Sequence, residues 1–160
     1  MSYSWLDLSA IKGPPEREKE LAAETGDTDS TIGTGDLFDK AGRLYKDGKF
    51  TEAKKLYEAA LSLDPGYVEA LNNLGVIYIG DKDYIKAKQL LEKALRLKPL
   101  YVEPYYNIAC LHAIKGETIE GLNYFKKALS IDSSIKAWAR DDSDLDSLRT
   151  LPEFMEIIQH

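Results

Sequence analysis

Residues 71–99, LNNLGVIYIGDKDYIKAKQLLEKALRLKP, decide the fold predicted for this chain. Leu71, Leu74 and Tyr78 are spaced three and four residues apart, so they share one face of a helix. After a turn rich in glycine and aspartate comes a second apolar helical face, formed by Ala87, Leu90, Leu91, Ala94 and Leu95. Pro99 ends this second helix, because proline cannot continue one. Two amphipathic helices joined by so short a turn must lie antiparallel.

Small residues stand where these helices need to approach their neighbours. Gly75 and Ala87 lie where the two helices of the pair cross, and Ala94 lies where the second helix meets the next unit. The same pattern occurs at a fixed interval towards the N-terminus, at Leu37, Ala41, Ala53, Ala60 and Pro65. It occurs again at the same interval towards the C-terminus, at Tyr105, Ala109, Gly121, Ala128 and Ser133. The chain therefore contains three helix pairs in one register.

A helix–turn–helix unit repeated at this interval, with small residues at fixed positions and a closing proline, is a family signature. The chain resembles a tetratricopeptide repeat protein over three units, residues 34–67, 68–101 and 102–135. The resemblance implies an all-α fold, an α-solenoid of antiparallel helix pairs. Gly121 departs from the pattern by replacing an alanine, at a cost in helix stability of about 1 kcal/mol. Other departures are Lys40, Ser133 and His112.

The segments on either side of the repeats differ from them in composition. Residues 1–33 are interpreted as an acidic, largely flexible arm, because they combine an acid-rich run with a linker of glycine, threonine and aspartate. Trp5 and its apolar neighbours could dock on the repeats or on a partner. Residues 136–160 resemble the closing segment of many repeat arrays. They are predicted to form capping helices whose core contains Trp138, Leu145, Leu148 and Phe154.

Composition and charge narrow the class of protein. The net charge of −6 divides into −6 over residues 1–39, +3 over 40–133 and −3 over 134–160. A low pI without a dense basic patch does not favour a nucleic-acid partner. No apolar run approaches the ~20 residues of a membrane span, and the sequence does not begin like a signal peptide. With a single cysteine, these features predict a cytoplasmic protein without a membrane partner, and a monomer is favoured.

The sequence contains no convincing catalytic or metal-binding motif. The sequence lacks the common nucleophile, phosphate-loop and zinc motifs, and two histidines with one cysteine do not supply a usual zinc set. Asp141, Asp142, Asp144 and Asp146 resemble part of a calcium loop, but helix capping explains them better. We therefore expect no cofactor, no metal and no enzymatic activity.

The resemblance also indicates where a partner would bind. In a stack of helix pairs the first helix of each unit lines the concave side. The predicted groove residues on these helices are Phe38, Asp39, Tyr45, Asn72, Asn73, Val76, Ile79, Glu103, Tyr106, Asn107 and Cys110. Asp39, Asn73 and Asn107 recur once per repeat at the same position, so they form a polar line that suits an extended peptide backbone. The alternative is that Asn73 and Asn107 hydrogen-bond neighbouring helices.

One subclass of the family is disfavoured. Chaperone-binding members clamp a C-terminal carboxylate with lysine, arginine and asparagine on this face, and here only Asn73 matches that set. The other clamp positions are held by Phe38, Gly42, Glu103 and Asn107. Because Glu103 would repel a carboxylate, the sequence predicts no chaperone-tail clamp.

The function predicted from the sequence is a non-catalytic interaction module that binds a peptide segment of another protein in its concave groove. One alternative is a self-regulated adaptor whose N-terminal arm occupies that groove. A second alternative is a small enzyme or cofactor carrier with a site at Cys110.

Overall fold

The computed structural model describes residues 32–159, and within them every regular element is a helix. Each repeat unit contributes one antiparallel pair. The pairs are α1 and α2 (Thr34–Lys46, Phe50–Leu63), α3 and α4 (Val68–Gly80, Tyr84–Leu97), and α5 and α6 (Val102–Ile114, Thr118–Ile131). They are followed by α7 (Ile135–Asp141), a 3₁₀ helix (Ser143–Thr150) and α8 (Pro152–Gln159).

The helices stack in chain order, as expected for an α-solenoid. Each helix packs most extensively against its partner in the pair, and α2 then packs on α3 and α4 on α5. The first helices of the second and third units, α3 and α5, also touch each other. The prediction of an all-α solenoid is therefore confirmed over the described residues. Among these residues, no helix is long and apolar enough to cross a membrane.

Close packing within the central pair depends on Gly75. A Cβ atom at this position would lie 2.9 Å from Cγ of Leu91 and 3.4 Å from the carbonyl oxygen of Ala87. The backbone of α3 therefore lies directly against α4. This confirms that Gly75 and Ala87 are small because the two helices cross there.

The turn within each pair uses the same backbone conformation. Gly48 and Gly116 have φ angles of 76° and 77°, in the left-handed region that favours glycine. Lys82 occupies the equivalent turn of the second unit, with a φ of 62°. The register of the repeat therefore extends to the turns, and the second unit contains a strained residue where the other two have glycine.

The C-terminal segment closes the apolar flank of the last pair. Leu145, Leu148 and Phe154 are fully buried and Trp138 is partly buried, as predicted for the core of a cap. Gly121 allows the cap to approach, because a Cβ atom there would lie 3.1 Å from Leu148 and 3.2 Å from the Ala109 carbonyl oxygen. Packing therefore explains why position 121 is glycine and not the alanine of the repeat pattern. The proposed docking of Trp5 lies outside the described residues.

Replacing Lys82 with glycine should stabilise the protein. The left-handed conformation costs a side-chain-bearing residue about 1–2 kcal/mol, and glycine has an entropic cost of about 0.5–1 kcal/mol, so the net gain should be about 0.5–1 kcal/mol. Urea denaturation measures the change. The control, Lys55→Gly at an exposed position within α2, should lose about 1 kcal/mol. A lower free energy of unfolding for Lys82→Gly than for the wild type would show that Lys82 is not strained.

Replacing Gly121 with alanine should destabilise the protein, although alanine is the better helix former. The added methyl group meets the backbone of α5, which cannot move aside as a flexible side chain could, so we expect a loss of about 1–2 kcal/mol. Asn123→Ala at an exposed position of the same helix is the control and should be neutral or slightly stabilising. Equal gains in both variants would show that α5 and the cap leave room for a methyl group at position 121.

Candidate functional site

The candidate site is the side of the array formed by α1, α3 and α5, which we call the inner face. All the predicted groove residues lie on these three helices. Asp39 and Glu103 are half-buried. The others are buried, and they are Phe38, Tyr45, Asn72, Asn73, Val76, Ile79, Tyr106, Asn107 and Cys110.

The asparagines form a chain of hydrogen bonds across the three units. Nδ2 of Asn107 donates to Oδ1 of Asn72 at 2.8 Å, which links α5 to α3. Nδ2 of Asn72 donates to Oδ1 of Asn73 at 3.2 Å, and Nδ2 of Asn73 donates to the hydroxyl of Tyr57 at 3.1 Å. Asn73 and Asn107 thus hydrogen-bond to residues of neighbouring helices, which is the alternative that the sequence left open for them. Their contact with a partner stays a prediction.

These hydrogen-bonded asparagines, Asn72, Asn73 and Asn107, which we call the amide chain, do not use all of their hydrogen-bonding groups. Oδ1 of Asn107 is buried, and it has no hydrogen-bond partner among the residues that the structure describes. At the other end, burial raises the pKa of Tyr57 to about 12, so its hydroxyl stays protonated. Because a side-chain amide has two donor hydrogens and two acceptor lone pairs, Asn72 and Asn73 also keep unused capacity.

The aromatic residues predicted as groove anchors pack within the array. The ring of Phe38 lies 5.6 Å from that of Tyr57 and 4.9 Å from that of Tyr67, measured between centroids. Tyr45 packs edge-on against Phe50 at 5.0 Å. These ring contacts therefore lie within the first unit and at its junction with α3, since Tyr67 directly precedes that helix.

Asp142, at the start of the 3₁₀ helix, is a buried polar residue that contacts α5, and its position does not follow from the sequence. Its Oδ2 accepts a hydrogen bond from the Tyr106 hydroxyl at 2.7 Å and one from Sγ of Cys110 at 3.7 Å. Its Oδ1 accepts from the backbone N–H of Asp144 at 2.9 Å and so caps the 3₁₀ helix. Helix capping was predicted for this run of acids. Its burial against α5 carries no sequence signal, because the neighbouring aspartates look the same.

The environment of Cys110 does not favour chemistry. The side chain is fully buried, and burial, with a contribution from Asp142, raises the pKa of the thiol well above its usual value. A thiol held in its protonated form is a weak nucleophile. Cys110 therefore acts as a small packing residue between α5 and the cap.

The charged residues among the predicted groove positions are acidic. Asp39 and Glu103 are half-buried, as is Glu69, which pairs with Lys98 at 3.7 Å. Partial burial raises the pKa of Glu103, and Lys98 opposes this effect. A ligand with basic or neutral polar groups would be favoured here over an acidic one.

The second helices of the first two units carry a cleft of different charge, which we call the outer cleft. It has a volume of about 490 Å³ and is lined by residues of α2, α3 and α4. Tyr78 forms part of its wall, with its hydroxyl donating to Glu58 at 3.0 Å. Lys86, Lys93 and Arg96 also line it. The outer cleft is therefore mainly basic, whereas the charged groove residues Asp39 and Glu103 are acidic.

Comparison with known proteins identifies the family. Two family models, both described as tetratricopeptide repeat, match residues 44–108 and 102–135. The chain belongs to the tetratricopeptide repeat family. The chain is 54% identical over 39 residues to the "TPR repeat-containing protein YpiA" of Bacillus subtilis. It is 43% identical over 56 residues to the "Uncharacterized protein ycf37" of Pyropia yezoensis. The matched stretches cover 24% and 34% of this chain, and 9% and 32% of those relatives.

Solved structures share the tetratricopeptide fold. The crystal structure of MamA matches with a TM-score of 0.60 and 25% identity, covering 66% of this chain and 61% of MamA. The first repeat domain of Spaghetti (RPAP3), bound to the HSP90 peptide SRMEEVD, matches with a TM-score of 0.61 and 18% identity. This match covers 81% of the present chain and 94% of that one.

The buried carboxyl of Asp142 should make the stability of these repeats depend on pH. Burial raises the pKa of Asp142 above its ordinary value of 3.8, so the folded protein holds this proton more tightly than the unfolded chain does. Its contribution to stability is therefore greatest at low pH and decreases as the pH rises through the folded pKa. The free energy of unfolding of Asp142→Asn should therefore increase relative to that of the wild type as the pH rises from 4 to 7, as measured by urea denaturation.

Asp141→Asn, at an exposed neighbouring position, is the control for this pH series. Asp142→Ala should be less stable than Asp142→Asn at every pH, because alanine leaves the buried hydroxyl of Tyr106 without this acceptor. A constant difference between wild type and Asp142→Asn across the series would show that Asp142 ionises in the folded protein as it does in the unfolded chain.

Proposed function

We propose that this protein binds a peptide segment of another protein along its inner face and catalyses no reaction itself. Tetratricopeptide repeats are generally protein–protein interaction modules, and they are generally non-catalytic. The inner face supplies both kinds of contact that a peptide needs, since apolar side chains alternate there with the amide chain. Buried apolar contact would supply affinity, and the amides would set the register of the peptide backbone.

The observation that carries this proposal is the unpaired acceptor at the end of the amide chain. A buried acceptor without a partner costs about 1–3 kcal/mol. Because Oδ1 of Asn107 is buried, a bound peptide would displace the side chains over it; a backbone N–H of the peptide would then pair with this oxygen and recover that cost. The amides of Asn72 and Asn73 would offer further donors and acceptors along the same line.

The charges of the inner face favour one kind of peptide. Asp39 and Glu103 are accessible acids on this face, so the preferred ligand is apolar with lysine or arginine and few acids. The HSP90 peptide bound by the related domain has the opposite character, because three of its seven residues are acidic. We therefore expect this protein not to bind SRMEEVD. In addition, Asn73, the one residue that matches the clamp, is hydrogen-bonded to Tyr57.

A random peptide library displayed on phage tests the proposal. Selection on the full-length protein should enrich apolar peptides with basic residues. Fluorescence anisotropy then gives the Kd of the best peptide for the wild type and for two isosteric variants, Asp39→Asn and Glu103→Gln. Each variant should weaken binding by about two- to fivefold, as expected for loss of one partly exposed ion pair.

Two controls locate the binding surface. Glu120→Gln removes an exposed acid on α6 and should leave the Kd unchanged. Lys93→Ala in the outer cleft should also leave it unchanged. Enrichment of acidic peptides whose affinity depends on Lys93 but not on Asp39 or Glu103 would move the binding site to the outer cleft and overturn the proposal.

A further inference from the structure

The outer cleft has a basic edge, which α4 forms. Lys86, Lys93 and Arg96 line the cleft seven and three residues apart, so they lie along one face of this helix and span about 15 Å. We call these three residues the basic row. Lys86 pairs with Asp83 at 3.6 Å, whereas Lys93 and Arg96 have no ion-pair partner within residues 32–159. Two cations of the row are therefore available to an anionic ligand.

Apolar side chains lie beside the basic row. They are Leu74 and Tyr78 of α3, which are buried, and Leu90 of α4. Nζ of Lys86 lies 5.3 Å from the centroid of the Tyr78 ring, which holds the ammonium group over this apolar surface. Glu58 of α2 is the acid in the lining, and its Oε1 accepts the hydrogen bond from the Tyr78 hydroxyl. A ligand that fits this cleft therefore combines acidic with apolar groups.

The repeat pattern does not require the basic row. The residues at the same positions of the first and third units are Glu52, Ala59 and Ser62, and Glu120, Lys127 and Ser130. Tyr78 and Leu90 correspond in the third unit to His112 and Tyr124, whose rings stack 5.4 Å apart. Among the three units, the row of three cations beside an apolar surface is therefore specific to the second.

We propose that the outer cleft is a second binding site, which holds an acidic amphipathic helix of a partner protein. A helix lying along α4 has the same rise per residue, so acids seven and three residues apart on it would each face one cation of the basic row. Apolar residues beside these acids would contact Tyr78 and Leu90. This site is separate from the peptide site proposed above, and neither depends on the other.

The length of the basic row and the charge of the protein select this ligand. A single phosphate or carboxylate group cannot contact cations spread over about 15 Å. A nucleic acid is disfavoured, because the chain has a net charge of −6 and the row supplies few cations. An unconstrained short peptide does not present the acidic face, since isolated helices shorter than ~12–15 residues are marginal in water. The ligand is therefore a helix that is already folded in its partner.

A stapled helical peptide tests this site on the full-length protein. Its glutamates recur alternately three and four residues apart on one face, which offers the spacing of the basic row in either orientation, and leucines flank them. A hydrocarbon staple on the opposite face keeps the peptide helical, and fluorescence anisotropy gives its Kd. Lys93→Gln together with Arg96→Gln should weaken binding about five- to tenfold, as expected for loss of two partly exposed ion pairs.

Two controls separate the outer cleft from a general effect of charge. Lys46→Gln together with Lys127→Gln removes the same charge from exposed positions elsewhere, and Lys127 corresponds to Lys93 one repeat later. This variant should change the Kd by less than about twofold, because salt screens distant charges. A peptide of the same composition whose glutamates are spread around the helix should bind the wild type at least fivefold more weakly. Equal losses in the two double variants, or equal binding of the two peptides, would overturn the site.

Variants of the inner face separate this site from the proposed function. Asp39→Asn and Glu103→Gln should leave the Kd of the stapled peptide unchanged, whatever their effect on the peptide selected from the library. A Kd that depends on Asp39 and Glu103 as much as on Lys93 would place the stapled peptide on the inner face and overturn the second site. Failure of the library selection, with binding of the stapled peptide through Lys93 and Arg96, would support the second site and overturn the first.

Two other occupants of the cleft would give different results. Binding of a single-stranded oligonucleotide that depends on Lys93 and Arg96, with no binding of the stapled peptide, would assign the basic row to nucleic acid. Self-association of the wild type that Lys93→Gln with Arg96→Gln abolishes, as measured by sedimentation equilibrium, would assign the cleft to a second copy of this chain. Either result would overturn the helix of a partner protein as the ligand.

Discussion

The close approach of paired helices is the constraint on which the rest of this structure depends. At Gly75 the backbone of α3 comes so near to Leu91 that a single methyl group would not fit without movement. The same register places small residues at the crossings of the other pairs, at Ala41 and Ala109. Because each pair has nearly the same geometry, the pairs stack, and each first helix is presented on the same side.

That stacking determines where polar groups can be tolerated. A continuous apolar stack would bury the amides of Asn72, Asn73 and Asn107 without partners, at a cost for each. Instead they bond to one another and to Tyr57, which connects the three units through one polar chain. A related arrangement closes the array, since Tyr106 and Cys110 share the carboxylate of Asp142. Polar contacts thus hold the units in register while apolar contacts supply most of the stability.

The sequence predicted the fold more completely than it predicted the candidate site. Helical periodicity and the regular repeat were enough for the three pairs, and the cap core at Leu145, Leu148 and Phe154 followed from its apolar spacing. The left-handed turn at Lys82 was not predicted, because a lysine gives no local signal for it. At the candidate site, the recurrence of Asn73 and Asn107 was visible, but the partners of these side chains were not. Asp142 could not be distinguished from the aspartates around it.

By itself, the sequence determined which residues share a helical face, where the turns fall and how many pairs stack. These properties are local or strictly periodic, so they can be read from spacing alone. Only the tertiary structure decided that Asn107 bonds to Asn72 and that Asp142 turns inward against Tyr106. It also decided that α3 is buried around its whole circumference. The physical reason is that a hydrogen-bond partner or a covering surface comes from residues far away in the chain, and the distance between them is fixed only when the helices stack.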